Sequence, residues 1–362
     1  MIKKCNILCF YLILSIYSIS SAQETNTTFI NGIEIKPHYG FVLPHHESIG
    51  YNISRHIYGF EINTLVNSTR TNWQQMYRNP RLGFGLNLFL IDPEIYGSAT
   101  GLYSFADVPF IRKNQFSANY RLNLGLAYLN EIFNVDENNF NTAIGSHLNM
   151  YFRLGLTTSY RITNKLDATL GLGMTHFSNG NLRSPNLGIN IVSANLGVLY
   201  KFNESEIELN KHDKHLSPDT KKMEYTLFFS GGARTITDYI NDYYFMSTCN
   251  LNVERYVNKK RKVGGGLDIF YDGTRTSDEE QDQVFKNLVQ LGLHLSSDII
   301  YNRFSLSFQA GYYLYKKNEE LWNIYNRLAL KYKITNRLIG KIALKSHKIQ
   351  ADYIEWGMGL IL

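Results

Sequence analysis

The chain has 362 residues, of which 14% are aromatic and only 7 are proline, so extended segments can run without frequent interruption. Its formal net charge of +6 suits an anionic lipid surface. No basic patch with interleaved aromatic residues is present, so nucleic acid is not an expected partner. After residue 22 no run of 18 or more apolar residues occurs, which excludes a typical transmembrane helix.

The first residues have the pattern of a secretory signal. Lys3 and Lys4 precede an apolar stretch over residues 7–19, and the small residues Ser20 and Ala22 follow it. This arrangement predicts a signal peptide over residues 1–22, with cleavage after Ala22.

Cysteine and histidine usage limits the chemistry of the mature chain. Cys5 and Cys9 lie within the predicted signal, which leaves Cys249 as a lone thiol. A single cysteine cannot build an intramolecular disulfide framework. His45 and His46 are adjacent in a loop and are interpreted as solvated side chains, so neither a metal site nor a cofactor is predicted.

The rest of the chain consists of short segments of alternating hydrophobicity, separated by turn residues. The last segment is typical, because one face is apolar and the other carries Glu355 and two glycines. The apolar face comprises Ile354, Trp356, Met358, Leu360 and Leu362. Together with 26 Tyr and 21 Phe, this pattern predicts an all-β, transmembrane antiparallel β-barrel rather than a soluble sandwich.

Turn lengths predict how this barrel is oriented. Tight polar connections occur at residues 162–165, 258–261, 301–303 and 334–337, whereas residues 130–145 and 273–286 form longer loops. Short turns belong on the periplasmic side and long loops outside. Each short turn follows an even-numbered strand, as expected if the first strand rises from the periplasm.

An internal duplication divides the chain into two eight-strand units, residues 23–202 and 223–362, joined by a polar linker over residues 203–222. Residues 82–89 match 263–270, residues 149–156 match 323–330, and residues 160–166 match 332–338. We expect one barrel of about sixteen strands, with two tandem eight-stranded barrels as the alternative.

One segment ends an apolar stripe with two polar residues. Leu170, Leu172, Met174, His176 and Ser178 share a face of one strand, because strand side chains alternate. Placing a base and a nucleophile on the lipid side is costly unless they act there. The pattern predicts a hydrolase acting on a lipid, with a strand simply leaving the membrane as the alternative.

The same segment resembles the outer-membrane lipid A 3-O-deacylases. His176 and Ser178 are followed by Asn179 and Gly180, then by Asn186, and the resemblance extends over residues 29–202. It implies an eight-stranded barrel in the outer membrane of a Gram-negative bacterium, with a Ser-His-Glu triad on its outer wall and lipid A or lipopolysaccharide as substrate. The family's acid falls on Asn190, which departs from the pattern.

Hairpin geometry supports this alignment. His176 and Asn190 are equidistant from Arg183, so a symmetric turn places them opposite each other on the same face. We expect Ser178 to attack an ester, His176 to act as base and Asn190 to orient the imidazole. Asn179, Gly180 and Asn186 are candidate oxyanion donors.

The second unit is expected to be inactive. Residues 345–347 resemble residues 174–176, but Ile349 stands where a serine would be needed. The alternative function is a non-catalytic barrel, porin-like or lipopolysaccharide-binding, which Asn190 favours and the intact His-x-Ser-Asn hairpin opposes. The sequence does not indicate the oligomeric state.

Overall fold

The computed structural model describes residues 30–53, 55–66, 71–202, 223–236, 242–274, 288–317, 322–348 and 350–362. The predicted signal peptide, the linker 203–222 and most of the predicted loop 273–286 lie outside these residues, so they stay predictions. No helix in the described part is long and apolar enough to cross a membrane.

The first eight strands belong to the N-terminal unit and are antiparallel neighbours in chain order. They are β1 (Ile30–Val42), β2 (Ile57–Val66), β3 (Arg81–Asp92), β4 (Gly97–Lys113), β5 (Phe116–Leu129), β6 (Leu148–Arg161), β7 (Leu166–Ser178) and β8 (Ile189–Lys201). Two short helices, α1 (Glu47–Tyr51) and α2 (Asn72–Met76), lie in the connections before and after β2.

The other eight strands form the C-terminal unit in the same way. They are β9 (Met223–Arg234), β10 (Tyr244–Asn258), β11 (Arg261–Asp272), β12 (Val289–Tyr301), β13 (Phe304–Tyr315), β14 (Ile324–Lys333), β15 (Leu338–His347) and β16 (Gln350–Ile361).

Each unit closes on itself. β8 pairs with β1, with Ile191 opposite Val42, and β16 pairs with β9, with Trp356 opposite Gly231. The prediction of sixteen strands in two eight-strand units is confirmed, but the expected single barrel is wrong, and the tandem alternative holds. The reason is that β1 already satisfies the free edge of β8, which leaves that strand no hydrogen-bonding edge for β9.

The duplicated segments occupy equivalent places in the two barrels. Residues 82–89 and 263–270 lie in the third strand of each barrel, and residues 149–156 and 323–330 lie mainly in the sixth. The four predicted tight turns connect β6 to β7, β10 to β11, β12 to β13 and β14 to β15. We call the end that carries these turns the short-turn end, and the opposite end the long-loop end.

The two faces of the strands differ as a membrane barrel requires. Outward side chains are apolar and exposed, for example Leu170, Leu172, Leu196 and Val198. Inward side chains are buried and largely polar. This alternation is the arrangement by which a barrel meets lipid on its outside.

The first lumen is crossed by a charge network. The guanidinium of buried Arg121 donates to both oxygens of Asp107, at 2.6 and 2.7 Å. It also reaches Glu34 on β1 at 3.1 Å and Glu61 on β2 at 3.3 Å. Side chains therefore fill the space between opposite walls, as expected for an eight-stranded barrel.

The second lumen is filled in the same manner. Arg327 on β14 is fully buried and contacts Asp268 on β11 and Glu355 on β16, each at 3.2 Å. Lys331 joins Glu254 and Asp298 at 3.2 and 3.0 Å. Removing one partner of such a buried group typically costs about 3–5 kcal/mol, so both lumens act as packed cores.

At the short-turn end the two barrels touch through Tyr77. Its hydroxyl donates to the backbone oxygen of Ile300 at 2.8 Å, and its ring lies 4.5 Å from that of Tyr301. The ammonium group of Lys260 lies over the same ring, 5.2 Å from its centroid. Burial raises the pKa of Tyr77, which keeps this hydroxyl a neutral donor.

Candidate active site

The hairpin between β7 and β8 has the register predicted from its sequence. His176 lies opposite Asn190, and Thr175 lies opposite Ile191. The prediction of a turn symmetric about Arg183 is therefore confirmed. Directly opposed residues on antiparallel strands share a face, so His176 and Asn190 lie together on the outer wall.

Phe177 fixes the direction of its two neighbours. Its side chain is fully buried in the first lumen, where its ring packs edge-on against Tyr151 at 5.5 Å. Burial of such a ring contributes about 1.5–3 kcal/mol. Because side chains alternate along a strand, His176 and Ser178 point outward, in line with the exposed Met174.

His176 is oriented by the amide of Asn190. Its Nδ1 lies 2.7 Å from Asn190 Oδ1, and an amide oxygen can only accept, so Nδ1 carries the proton. Nε2 of a neutral ring is then free to accept a proton. The arrangement gives His176 the tautomer that a general base needs, but it brings no negative charge to the imidazole.

Ser178 Oγ is held by two donors. The backbone N–H of Gly180 donates to it at 3.0 Å, and Asn186 Nδ2 donates to it at 2.9 Å. Asn186 Oδ1 in turn accepts the backbone N–H of Asn179 at 2.9 Å. Only 8% of Ser178 is exposed, so its oxygen sits within the base of the hairpin.

The three candidate oxyanion donors therefore differ. Gly180 and Asn186 contact Ser178 Oγ directly. The side chain of Asn179 instead donates to Ser146 Oγ at 3.0 Å and to the backbone oxygen of Arg183 at 2.8 Å. The side-chain amide of Asn179 therefore stabilises the loop, and these two hydrogen bonds do not involve Ser178.

His176 and Ser178 share a face but are not hydrogen-bonded to each other among the described residues. They are two positions apart on β7, and Ser178 Oγ turns toward the hairpin instead. Catalytic hydrogen bonds are often long or misaligned without substrate and tighten when it binds. A rotation of the Ser178 side chain toward His176 Nε2 would bring the two groups together.

Glycines make the hairpin fit its surroundings. Gly188 has a φ of +78°, and a Cβ there would lie 2.7 Å from His176 Cε1. The imidazole of His176 thus packs directly against the backbone of Gly188. Gly180 has a φ of +65°, and a Cβ there would lie 2.4 Å from Ile354 of the second barrel.

The described part of the second barrel contacts this hairpin at several points. Besides the approach of Gly180 to Ile354, Asn181 Nδ2 donates to the backbone oxygen of Asp352 at 3.1 Å. The backbone N–H of Ser184 donates to Thr235 Oγ1 at 2.9 Å. The segment that carries the candidate nucleophile is therefore packed against the C-terminal unit at the long-loop end.

His45 is exposed in its loop, as the interpretation from sequence has it, but it also lies at this site. Its Nδ1 is 3.0 Å from Asn190 Nδ2, and its Nε2 is 2.8 Å from the backbone oxygen of Leu187. Barrel closure brings it there, because Leu43 N donates to Asn190 O at 2.8 Å at the end of the β1–β8 ladder. The place of His45 beside Asn190 could be predicted only from the pairing of β1 with β8.

The histidine matched to His176 in the second unit faces the lumen. His347 Nε2 lies 2.9 Å from the hydroxyl of Tyr313, and Nδ1 lies 3.7 Å from Asp352. Counting from the equivalent tight turns shows why the sequence match was wrong by one position. Lys348 and Gln350, not His347 and Ile349, correspond to His176 and Ser178.

Among the described residues, no group of three or more histidine, cysteine, aspartate or glutamate side chains is arranged to hold a metal ion. The site geometry therefore rests on hydrogen bonds between its own side chains and the hairpin backbone.

Two family models match the chain. Residues 58–199 match the model for lipid A 3-O-deacylase (PagL), and residues 223–361 match the model for the acyloxyacyl hydrolase C-terminal domain (PagL_C). No curated protein matches the chain.

Solved structures of outer-membrane barrels are also similar. An outer membrane protein of Acinetobacter baumannii is 6% identical, with 93% of this chain and 100% of that chain covered and a TM-score of 0.20. A mutant of Rh. blastica porin is 10% identical, with 92% and 99% covered and a TM-score of 0.18. Scores this low do not establish a shared arrangement of strands.

Proposed function

Because the chain belongs to the lipid A 3-O-deacylase family and is an outer-membrane β-barrel protein, we propose that it hydrolyses an ester-linked acyl chain of lipid A. The 3-O chain is the expected target, and Ser178 and His176 carry out the reaction. The observation that carries the proposal is the placement of both side chains on the outer wall of the first barrel, with the His176 tautomer fixed for accepting a proton. The proposed reaction needs no cofactor.

The position of the site along the strand fits a substrate in the outer leaflet. His176 lies eleven residues after Lys165, which belongs to the short periplasmic turn. A membrane-spanning strand needs about 9–11 residues, so His176 is at the external interface. The acyl chains of lipopolysaccharide are accessible there from the side of the barrel.

The reaction proceeds through two half-reactions. Ser178 Oγ attacks the ester carbonyl as its proton passes to His176 Nε2, and the C–O bond to the sugar then breaks while the imidazolium returns that proton to the leaving alcohol. Water then attacks the acyl-enzyme and gives a proton to Nε2, and the imidazolium returns that proton to Ser178 Oγ as the acyl–Oγ bond breaks. The products are a free fatty acid, a sugar hydroxyl and the regenerated serine.

Two donors serve the developing oxyanion. When Ser178 Oγ rotates toward His176, donors that bound it in its resting position are released and can bind the oxyanion, which forms on the carbon attached to Oγ. These donors are the Gly180 N–H and Asn186 Nδ2, which lie 3.0 and 2.9 Å from the resting Oγ. Both are supplied by the hairpin itself.

A non-catalytic lipopolysaccharide binder is the second candidate, favoured by the neutral Asn190 where a carboxylate would balance the imidazolium. An acid-to-amide change in a serine protease lowers the rate about 10⁴-fold, so reduced activity is expected here. The porin-like alternative is disfavoured by the ion pairs that cross both lumens.

Mass spectrometry of lipid A from cells with and without the protein tests the proposal. Expression of the natural chain should remove one acyl chain, and Ser178→Ala or His176→Ala should abolish this change while membrane insertion is retained. His347→Ala is the matched control, because that histidine faces the second lumen. Unchanged lipid A with the natural chain would favour the binder.

A further inference from the structure

Three hydrogen bonds form a chain from the backbone oxygen of Leu187 through His45 and Asn190 to His176. Leu187 O accepts from His45 Nε2 at 2.8 Å, and His45 Nδ1 lies 3.0 Å from Asn190 Nδ2. Asn190 Oδ1 lies 2.7 Å from His176 Nδ1. His45 lies in the β1–β2 loop, Asn190 on β8 and His176 on β7, so the chain joins three separate parts of the first barrel.

The direction of each bond follows from the one before it. A carbonyl oxygen only accepts, so His45 Nε2 carries the proton, and Nδ1 of the neutral ring is an acceptor. Asn190 must therefore turn its NH₂ group toward His45, which leaves Oδ1 facing His176. Nδ1 of His176 then carries the proton, and its Nε2 is the basic nitrogen.

We propose that His45 is a positioning residue that fixes the amide of Asn190 and, through it, the catalytic tautomer of His176. The proposal rests on the hydrolase function given above. A carboxylate presents two equivalent oxygens, so a triad acid needs no partner to choose between its ends. An amide has one accepting end, and rotating it by 180° would present NH₂ to His176 and place the imidazole proton on Nε2.

His45 is exposed, but its loop starts where barrel closure fixes the backbone. The hydrogen bond from Leu43 N to Asn190 O extends the β1–β8 ladder to within two residues of His45. His46, the next residue, contacts Ser48 at 3.3 Å instead. The two adjacent histidines thus differ in whether they reach the site, which provides a matched control.

The test combines His45→Ala and Asn190→Glu in a four-variant cycle, measured as fatty-acid release from lipid A in detergent. In the natural background His45→Ala should lower kcat roughly two- to tenfold, the effect of one neutral hydrogen bond, with KM unchanged. In the Asn190→Glu background the same change should have less than about a twofold effect, because the carboxylate needs no orientation. His46→Ala should have no effect, and His45→Gln, which restores an acceptor, should recover part of the loss.

Equal losses in both backgrounds would show that His45 only stabilises the loop and would overturn the proposal, as would no loss in either. A second measurement does not depend on activity. The ring nitrogen NMR shifts of His176 should report protonated Nδ1 in the natural protein and a shift toward protonated Nε2 in His45→Ala. An unchanged tautomer would contradict the proposal, and an inactive natural chain with the predicted tautomer change would mean that only the hydrolase function fails.

Discussion

The amide of Asn190 gives His176 an orientation without a balancing charge. Its pairing with His176 could be predicted from sequence, because a hairpin is a local structure and its register follows from the turn. The contact with His45 could not, because those residues are 145 positions apart and meet only when β1 closes against β8. The sequence therefore predicts the contact within the hairpin, but it does not predict the contact between residues that are far apart in the chain.

Substitution of Asn190 tests the missing charge. Asn190→Glu should raise the rate of fatty-acid release by about 100- to 1,000-fold, because a carboxylate stabilises the imidazolium that forms during attack. The upper limit of about 10⁴-fold is not expected, since the longer side chain must fit between His176 and His45. Asn190→Ala should lower the rate, because the imidazole loses its partner.

The rates are measured on purified lipid A in detergent for the natural chain and both variants. Melting and heat-modifiability of the three proteins serve as the folding control. Equal rates for Glu and Ala at position 190 would show that this residue does not act on His176.

At the scale of elements, the hairpin between β7 and β8 depends on close backbone approaches. The polar turns at the short-turn end were predictable from their own residues, because a tight turn needs only local chemistry. The long-loop hairpin was predictable only in part, since its glycines match neighbours that come from the opposite strand and from the second barrel.

Gly188→Ala should lower activity roughly 10- to 100-fold, because the added Cβ displaces His176 and small misplacements of catalytic groups have effects of this size. The positive φ adds about 1–2 kcal/mol of strain. The measurement is kcat for fatty-acid release, together with heat-modifiability as a check on folding.

Gly340→Ala is the matched control, because the nearest atom to a Cβ there is 3.6 Å away. It should leave both activity and folding unchanged. If Gly188→Ala keeps full activity, the position of the His176 imidazole does not depend on a glycine at residue 188.

At the scale of the whole molecule, the internal duplication predicts two eight-strand units, but it does not predict whether each unit closes into a barrel of its own. Sixteen strands are compatible with one wide barrel or two narrow ones, and turn signals do not distinguish them. The distinction lies in which strand pairs with β8, and that pairing is with β1. The filled lumens follow from this closure, because eight strands leave room only for side chains.

Residues 23–202 should fold alone into a protease-resistant, heat-modifiable barrel, because strands β1–β8 close on themselves and the described ion network of the first lumen joins side chains of these strands. Their deacylase activity should be lower than that of the full chain, since the hairpin loses its contacts with Thr235, Asp352 and Ile354. Gel mobility with and without heating, followed by an activity assay, checks both points. A fragment that fails to fold would mean that the first barrel requires the second.

The central claim is that Ser178 is the nucleophile of an outer-wall lipid A esterase, and it is tested most directly by trapping the acyl-enzyme. Purified protein is mixed briefly with lipid A, quenched in acid, digested and analysed by mass spectrometry, with Ser178→Ala treated in parallel. The account predicts a fatty-acyl mass on the peptide that contains Ser178, accompanied by fatty-acid release, and neither signal in the variant. Fatty-acid release by Ser178→Ala at the rate of the natural chain would contradict it.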